Sequence, residues 1–370
     1  MFYRTAAAQQ QTAAARQNVC SRLGFQLLAT RPSVAQHHQL QAAAPSQWGS
    51  ASRGAASLGL LRVGSLVAMS CIADEALAAS YTTEEPVASA SGFGVAAAVA
   101  TQVPKESMGK PDSSANLVLT AGAFVLPHPD KMHKGGEDWY FIAKNRRAVG
   151  VADGVGGWAE VGVDAGAYAR QLMRNAADVA DAATRGNGDG GAESSEILER
   201  AYGLTTVRGS STACVAVLNG DHLAVSNLGD SGLLILRAGA VAFHTPQQQH
   251  GFNFPYQIGS PDSMSDPPQS AQRFEIRVQP GDLILLGTDG LWDNCFDEEL
   301  ACVLRYCRDQ SMDAPKMAEV VAHYARHRAS DSKFASPFAY SAFQAGFAYM
   351  GGKMDDITVL ICLVQQPAKM

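Results

Sequence analysis

The chain has 370 residues, 46% of them hydrophobic and 17% charged, with 35 Gly and 16 Pro; this excludes a collagen-like or wholly disordered polypeptide and leaves room for one large domain or two ordinary ones. Charge is uneven, because the first 73 residues hold six arginines, no lysine and no acid before Asp74. Removing those six leaves 23 basic against 35 acidic side chains, a net −12, which argues against a nucleic-acid partner.

Segment 1–73, rich in Arg, Ala, Gln and Ser, has the composition of an organellar transit peptide that is removed after import. A disordered basic tail is the alternative. The apolar stretch 54–73 is broken by Arg62, so its uncharged part falls well short of the roughly 20 residues a membrane span needs, and no stable span is expected. Residues 74–115 read as a flexible linker, with Pro86 and Pro104 bounding an uncharged run dominated by Ala, Ser, Gly and Thr.

The folded domain is expected over 116–366. It opens on three β-like runs, 117–126, 139–144 and 148–152, followed by helices over 164–183 and 195–206 with a glycine-rich loop at 186–191 between them. Runs 212–218 and 222–227 flank Asn219-Gly220-Asp221, and 233–237 and 241–244 flank Ala238-Gly239-Ala240; both are hairpin signals. A third hairpin is expected between 273–278 and 282–287 through Gln279-Pro280-Gly281. Helices follow over 297–308 and 312–328, Ser336-Pro337-Phe338 reads as loop, and 357–363 closes as a strand. Strands with hairpins and grouped helices predict an α+β fold with largely antiparallel sheets. The seven cysteines are dispersed, odd in number and without a C-x-x-C pair, so they read as reduced thiols. Cys295 and Cys302 are spaced so that they could share a helix face, yet no histidine stands near them at zinc-ligand spacing, and a buried apolar role is expected.

Four acidic clusters fall at predicted strand ends or tight turns: Glu137-Asp138, Asp153-Gly154, Asp289-Gly290 and Asp355-Asp356. Asp-Gly is also an ordinary turn signal. The flanks tip the balance, since Val149-Gly150-Val151-Ala152 and Leu283-Ile284-Leu285-Leu286-Gly287-Thr288 are apolar runs that each deliver an aspartate. Carboxylates gathered at one end of buried strands suit a hard ion such as Mg²⁺ or Mn²⁺.

These clusters sit within longer motifs: Gly135-Gly136-Glu137-Asp138, Val151-Ala152-Asp153-Gly154-Val155-Gly156-Gly157-Trp158, Gly209-Ser210-Ser211-Thr212-Ala213, Asn227-Leu228-Gly229-Asp230-Ser231-Gly232, Gly287-Thr288-Asp289-Gly290-Leu291-Trp292-Asp293-Asn294 and Gly351-Gly352-Lys353-Met354-Asp355-Asp356-Ile357-Thr358-Val359. In that order and over about 119–364, the sequence resembles the metal-dependent serine/threonine phosphatases of the protein phosphatase 2C family. Pro127-His128-Pro129-Asp130-Lys131, Gly156-Gly157-Trp158-Ala159-Glu160 and Gln248-Gln249-His250-Gly251-Phe252-Asn253 bring it nearest the organelle-targeted branch.

The resemblance implies two packed antiparallel β-sheets flanked by helices, with 116–366 as the catalytic domain. It implies that Asp153 bridges two Mn²⁺ or Mg²⁺ ions, that Glu137 and the Gly154 carbonyl hold one, and that Asp289 and Asp355 hold the other. Asp138 would orient the attacking water, and Asp230 with Asp289 would take a weaker third ion. The implied reaction is hydrolysis of phosphoserine and phosphothreonine in organellar proteins, by a monomer, in the mitochondrion or alternatively the chloroplast. A catalytically weak binding or regulatory protein on the same scaffold is the competing reading.

The pattern departs from the wider family at three places. Val155 stands where a histidine proposed as proton donor is common, and His250 is a candidate substitute whose alternative is a surface or packing role. His133, Lys134 and two glycines occupy the stretch where a phosphate-binding arginine is usual, with Lys134 as a candidate point charge. Asp356 replaces a frequent asparagine. Trp158, Trp292 and Phe296 read as packing anchors, and His323 and His327 as part of an exposed basic helix face with Arg326 and Arg328.

Overall fold

A computed structural model describes residues 117–183 and 193–367; the expected transit peptide, the linker and the loop at 186–191 lie outside the described residues. Ten strands make two five-stranded sheets in which every neighbouring pair is antiparallel. In chain order they are β1 (Val118–Leu126), β2 (Asp138–Ile142), β3 (Ala148–Asp153), β4 (Ala213–Asn219), β5 (His222–Leu228), β6 (Gly232–Arg237), β7 (Ala240–His244), β8 (Gln272–Arg277), β9 (Leu283–Gly287) and β10 (Ile357–Gln365). One sheet runs β1-β10-β9-β6-β7 and the other β8-β5-β4-β3-β2.

Alternation along the strands builds two cores. Val149 and Val151 of β3, with Cys214 and Ala216 of β4, face inward against Ile284 and Leu286 of β9 and Leu360 and Cys362 of β10. Ala148 and Ala152 face the other way, onto helices α1 (Ala165–Ala183) and α2 (Ser194–Leu204), whose Leu172, Met173, Ile197 and Leu198 are buried there. On the outer side of the first sheet, the helix Ala314–Ala329 packs on β1 and β10. The remaining helices are α3 (Asp289–Trp292), α4 (Asp297–Asp309), α5 (Ala314–Ala329) and α6 (Pro337–Gln344). No helix among the described residues is long and apolar enough to cross a membrane.

The first two hairpins form as the turns required. Gly220 sits at φ 60° between Asn219 and Asp221, and Ala238 and Gly239 both take positive φ, the signature of a two-residue turn that matches strand twist. The third does not form. β8 pairs with β5 in one sheet, whereas β9 lies between β10 and β6 in the other, so Gln279-Pro280-Gly281 crosses between sheets. Burial explains the separation: β8 alternates exposed and half-buried positions as an edge strand does, while every residue of β9 is buried.

Two smaller expectations are also corrected. Ser336-Pro337-Phe338 opens helix α6 instead of a loop, with the Ser336 hydroxyl accepting from the Ala339 N–H at 3.0 Å. Cys295 precedes α4 and shares no helix face with Cys302; Cys214, Cys295, Cys307 and Cys362 are buried free thiols.

Candidate metal centre

Strand register carries the acids to one end of the two sheets. Asp138, the first residue of β2, is directly opposite Asp153, the last of β3. Across the other sheet, β9 ends at Gly287 opposite Gly232, just after Asp230, and opposite Val359, just after Asp355-Asp356 and Ile357. Thr288 and Asp289 follow Gly287 at once. Antiparallel pairing thus gathers carboxylates that lie more than 200 residues apart in sequence.

Small residues make the convergence possible. A Cβ on Gly154 would run into the Ala165 and Glu137 carbonyl oxygens, and one on Gly290 into the Asp356 carbonyl oxygen. Each glycine beside an aspartate is therefore demanded by backbone packing. Gly136, at φ 83°, lets the chain turn so that the Glu137 N–H donates to Asp356 Oδ2 at 3.0 Å.

Eight carboxylates belong to the cluster: Glu137, Asp138, Asp153, Asp230, Asp289, Asp293, Asp355 and Asp356. Lys131 Nζ lies 2.6 Å from Glu137, 3.3 Å from Asp356 and 3.8 Å from Asp355. Lys353 Nζ lies 2.5 Å from Asp289, 2.8 Å from Asp293 and 3.5 Å from Asp355. Burial, and then the neighbouring Asp356 charge, pushes Asp138 well above the usual carboxylate range. Burial and the charges of Asp289, Asp138 and Asp355 do the same to Asp153. Burial with Asp289 and Asp293 pushes Asp230 up to about 8, and burial with Asp289 raises Asp293 to about 6 against the pull of Lys353. For Asp289 burial works upward too, but the Lys353 charge and hydrogen bond outweigh it and hold the group low.

Among the described residues, no three His, Cys, Asp or Glu side chains are already closed around one point in a way that holds an ion; the carboxylates are drawn onto the two ammoniums instead. The donor set nevertheless fits a hard divalent cation. It is all oxygen, it has more negative charge than two lysines offset, and Asp138 Oδ1 and Asp289 Oδ1 are buried without a hydrogen-bond partner.

No family model matches the chain. A probable protein phosphatase 2C 55 of Arabidopsis thaliana is 45% identical over 248 residues, 67% of this chain and 52% of the relative. A probable protein phosphatase 2C 26 of the same plant is 37% identical over 261 residues, covering 67% of this chain and 84% of the relative. The chain belongs to the protein phosphatase 2C family. The photosystem II phosphatase PBCP superposes with a TM-score of 0.61 at 33% identity, covering 67% of this chain and 99% of that one. The match spans about half the length of the first of these relatives.

Within the phosphatase 2C fold, the six acids expected as ligands or water-orienting groups all fall in the cluster, with Gly154 beside them. Asp356 is spent differently. Its Oδ1 accepts from the His128 N–H at 2.6 Å and its Oδ2 from the Glu137 N–H, so it ties the loop before β2 to the start of β10. His250 turns to Asp266 at 3.0 Å and stacks on Tyr256 with centroids 3.8 Å apart, the packing role over the donor role. Lys134 is exposed and Lys131 reaches the acids instead, because the 3₁₀ turn Pro129–Lys134 folds it back.

Trp292 is buried, with its indole N–H on the Gly287 carbonyl at 2.8 Å, and Phe296 meets Phe334 edge-on. Trp158 donates to Ser210 Oγ at 2.6 Å beneath the Arg208 guanidinium. The helix face at 323–328 is not an exposed basic surface. Arg328 is buried against Glu299, and Arg326 donates to the carbonyls of Leu126, Pro127 and Asp355 at 2.9–3.0 Å, which braces the cluster from behind.

Lys131, Lys353, Asp293 and Thr288 also belong to the cluster, which their places in the sequence did not reveal. All four lie inside or beside the six motifs and the Pro127–Lys131 run, so position was available and contact was not.

Proposed function

We propose that this chain hydrolyses phosphoserine and phosphothreonine esters in proteins, using Mn²⁺ or Mg²⁺ held by Glu137, Asp153, the Gly154 carbonyl, Asp289 and Asp355, with Asp230 and Asp289 taking a weaker third ion. The observation that carries this reading is the surplus of buried carboxylate at one end of the sandwich, with only two ammoniums against eight acids. Bound divalent ions would supply a Lewis acid that activates water and neutralises phosphoryl oxygens.

The chain's own residues do the rest. Asp138 keeps one oxygen fixed by the Thr288 hydroxyl at 2.7 Å and leaves the other to orient the attacking water. Lys131, on the partly exposed side of the cluster, meets a phosphoryl oxygen as a point charge in place of a forked arginine. Val155 has no proton to give, so the leaving serine or threonine oxygen takes its proton from water.

The test is phosphate release from a phosphothreonine peptide by the full chain with Mn²⁺, with Mg²⁺ and with chelator. Activity is expected to need the ion and to fall by at least about a hundredfold in Asp153→Asn. A folded protein that binds Mn²⁺ and releases nothing would favour the binding-protein reading.

We also assign the chain to an organelle on the composition of 1–73. The mitochondrion is the first assignment and the chloroplast the alternative; the name of the photosystem II phosphatase supports the alternative. Fusion of 1–73 to a fluorescent protein distinguishes them. The substrates are then organellar phosphoproteins, met by a monomer, which sedimentation would verify.

A further inference from the structure

From Phe334 to Gly352 the chain runs without a charged residue, in a protein that is otherwise acidic. Helix α6 buries Phe338, Ala339 and Ala342 but turns Tyr340 and Phe343 outward, 60% and 77% exposed, and Phe347 and Met350 follow at 57% and 64%. Phe252, at the tip of the ribbon formed by Gln249–Gly251 and Phe254–Pro255, packs on Phe338 and Phe347 with centroids 5.0 and 5.2 Å apart. Phe252, Phe338, Phe347 and Tyr349 are thus in continuous ring contact, and Tyr340 and Phe343 stand exposed on the same helix as Phe338.

This surface is held firmly. Ser336 Oγ, besides capping α6, donates to the Gly351 carbonyl at 2.7 Å; the Gly351 N–H returns to Phe334 at 3.0 Å, and the Tyr349 hydroxyl donates to Gly352 at 2.9 Å. A preorganised apolar face of this kind is a mark of binding. It is continuous with the acidic cluster: the Phe338 N–H donates to the Asp293 carbonyl at 3.0 Å, and Lys353, paired with Asp289, stands 5.1 Å over the Phe338 ring.

We infer that this aromatic platform binds apolar side chains flanking the phosphoresidue of a polypeptide substrate, an inference that rests on the phosphatase reading. Because Phe338 touches Lys353 and Asp293, a polypeptide that presents its phosphate to the cluster has the platform within reach. A second copy seated here would cover the site it adjoins. An anionic lipid surface calls for a basic rim, whereas the adjoining charges are the site's own carboxylates and a lysine already paired with them.

The test uses two fluorescein-labelled phosphothreonine peptides that differ only in their flanks, Leu and Phe in one, Ser and Gly in the other. Binding to the full chain is followed by anisotropy in chelator, and phosphate release with Mn²⁺. The apolar-flanked peptide is expected to be favoured about tenfold in both. Tyr340→Ser/Phe343→Ser should bring that ratio near one, while Phe343→Leu, which keeps apolar area, should preserve it. Equal binding of the two peptides by the wild type, or a ratio unmoved in the double serine variant, overturns the inference. So does sedimentation with phosphatidylcholine–phosphatidylglycerol vesicles, lost in that variant, while the peptides bind alike. Flank preference in binding with no phosphate release leaves the platform standing and defeats the phosphatase reading; release without flank preference does the reverse.

Discussion

Thr288 shows how a single hydroxyl can set a buried carboxylate. It accepts from the Thr358 N–H at 3.0 Å and donates to Asp138 Oδ2 at 2.7 Å, so β9, β10 and β2 are tied at one atom. Replacing it by valine keeps the shape and removes the donor. Thr288→Val is expected to lower Mn²⁺ affinity or kcat by about 10–100-fold without unfolding the protein, measured by calorimetric Mn²⁺ titration beside phosphate release. Lys131 makes a second, opposed prediction. Lys131→Gln removes an ammonium that competes for Glu137, so Mn²⁺ should bind more tightly, while KM for a phosphothreonine peptide rises about tenfold for want of a charge on the phosphoryl oxygens. Lys131→Arg should restore KM. If KM stays put in the glutamine variant, Lys131 is only a counter-ion.

Helices α4 and α5 are locked to each other by a buried ionic group. Arg328 pairs with Glu299, and the Tyr324 hydroxyl donates to the same Glu299 oxygen at 2.9 Å, all three side chains being shielded from water. Arg328→Leu would leave the Glu299 charge unpaired in the interior, and the expected loss is about 3–5 kcal/mol. Urea denaturation reads this directly, and a loss below about 1 kcal/mol would mean that solvent reaches Glu299 once the arginine is gone. The same helix pair stands behind the site, because α5 packs on β1 and β10 and its Arg326 grips the Asp355 carbonyl. Loosening α5 should therefore disturb the acids as well as the fold.

Across the whole domain, the acidic cluster makes stability depend on pH and, on the proposed function, trades it for metal binding. Asp138, Asp153, Asp230, Asp293 and Asp355 all hold their protons to higher pH than ordinary carboxylates, burial being the first cause in each. In the unfolded chain such groups release them near about pH 4. Between that pH and about 8, where Asp230 titrates, the folded metal-free protein carries more protons than the unfolded one, and its stability falls as pH rises. Asp289 is held low and acts below this window, where its stabilising charge is lost as pH falls. Lys131 and Lys353 are raised despite burial, by their carboxylate partners, and act above it. Melting in chelator is therefore expected at a lower temperature at pH 8 than at pH 5, with Mn²⁺ giving back more at pH 8 through its binding to the native state. A midpoint that climbs with pH in chelator would contradict this.

Much of this was legible in the residues alone. Apolar runs ending in aspartate placed the acids at strand ends, since alternation and turn chemistry are local, and two of three hairpins followed from their turn residues. Six ordered motifs then marked the family and the ligand candidates. The rest depended on distance through space. Nothing in 272–287 says that β8 joins one sheet as an edge and β9 the other as a buried centre; pairing partners outside the segment decide it. Nor does spacing reveal that Lys131 and Lys353 end among the carboxylates, that Asp293 joins them, or that Arg326 and Arg328 turn inward from a face that reads as basic. Sequence by itself determined which chemistry was present and at which strand ends, because those are short-range properties of the chain. Only the tertiary structure decided which charges share a site, because Coulomb and hydrogen-bond energies act between atoms brought within a few ångströms by folding, whatever their separation along the chain.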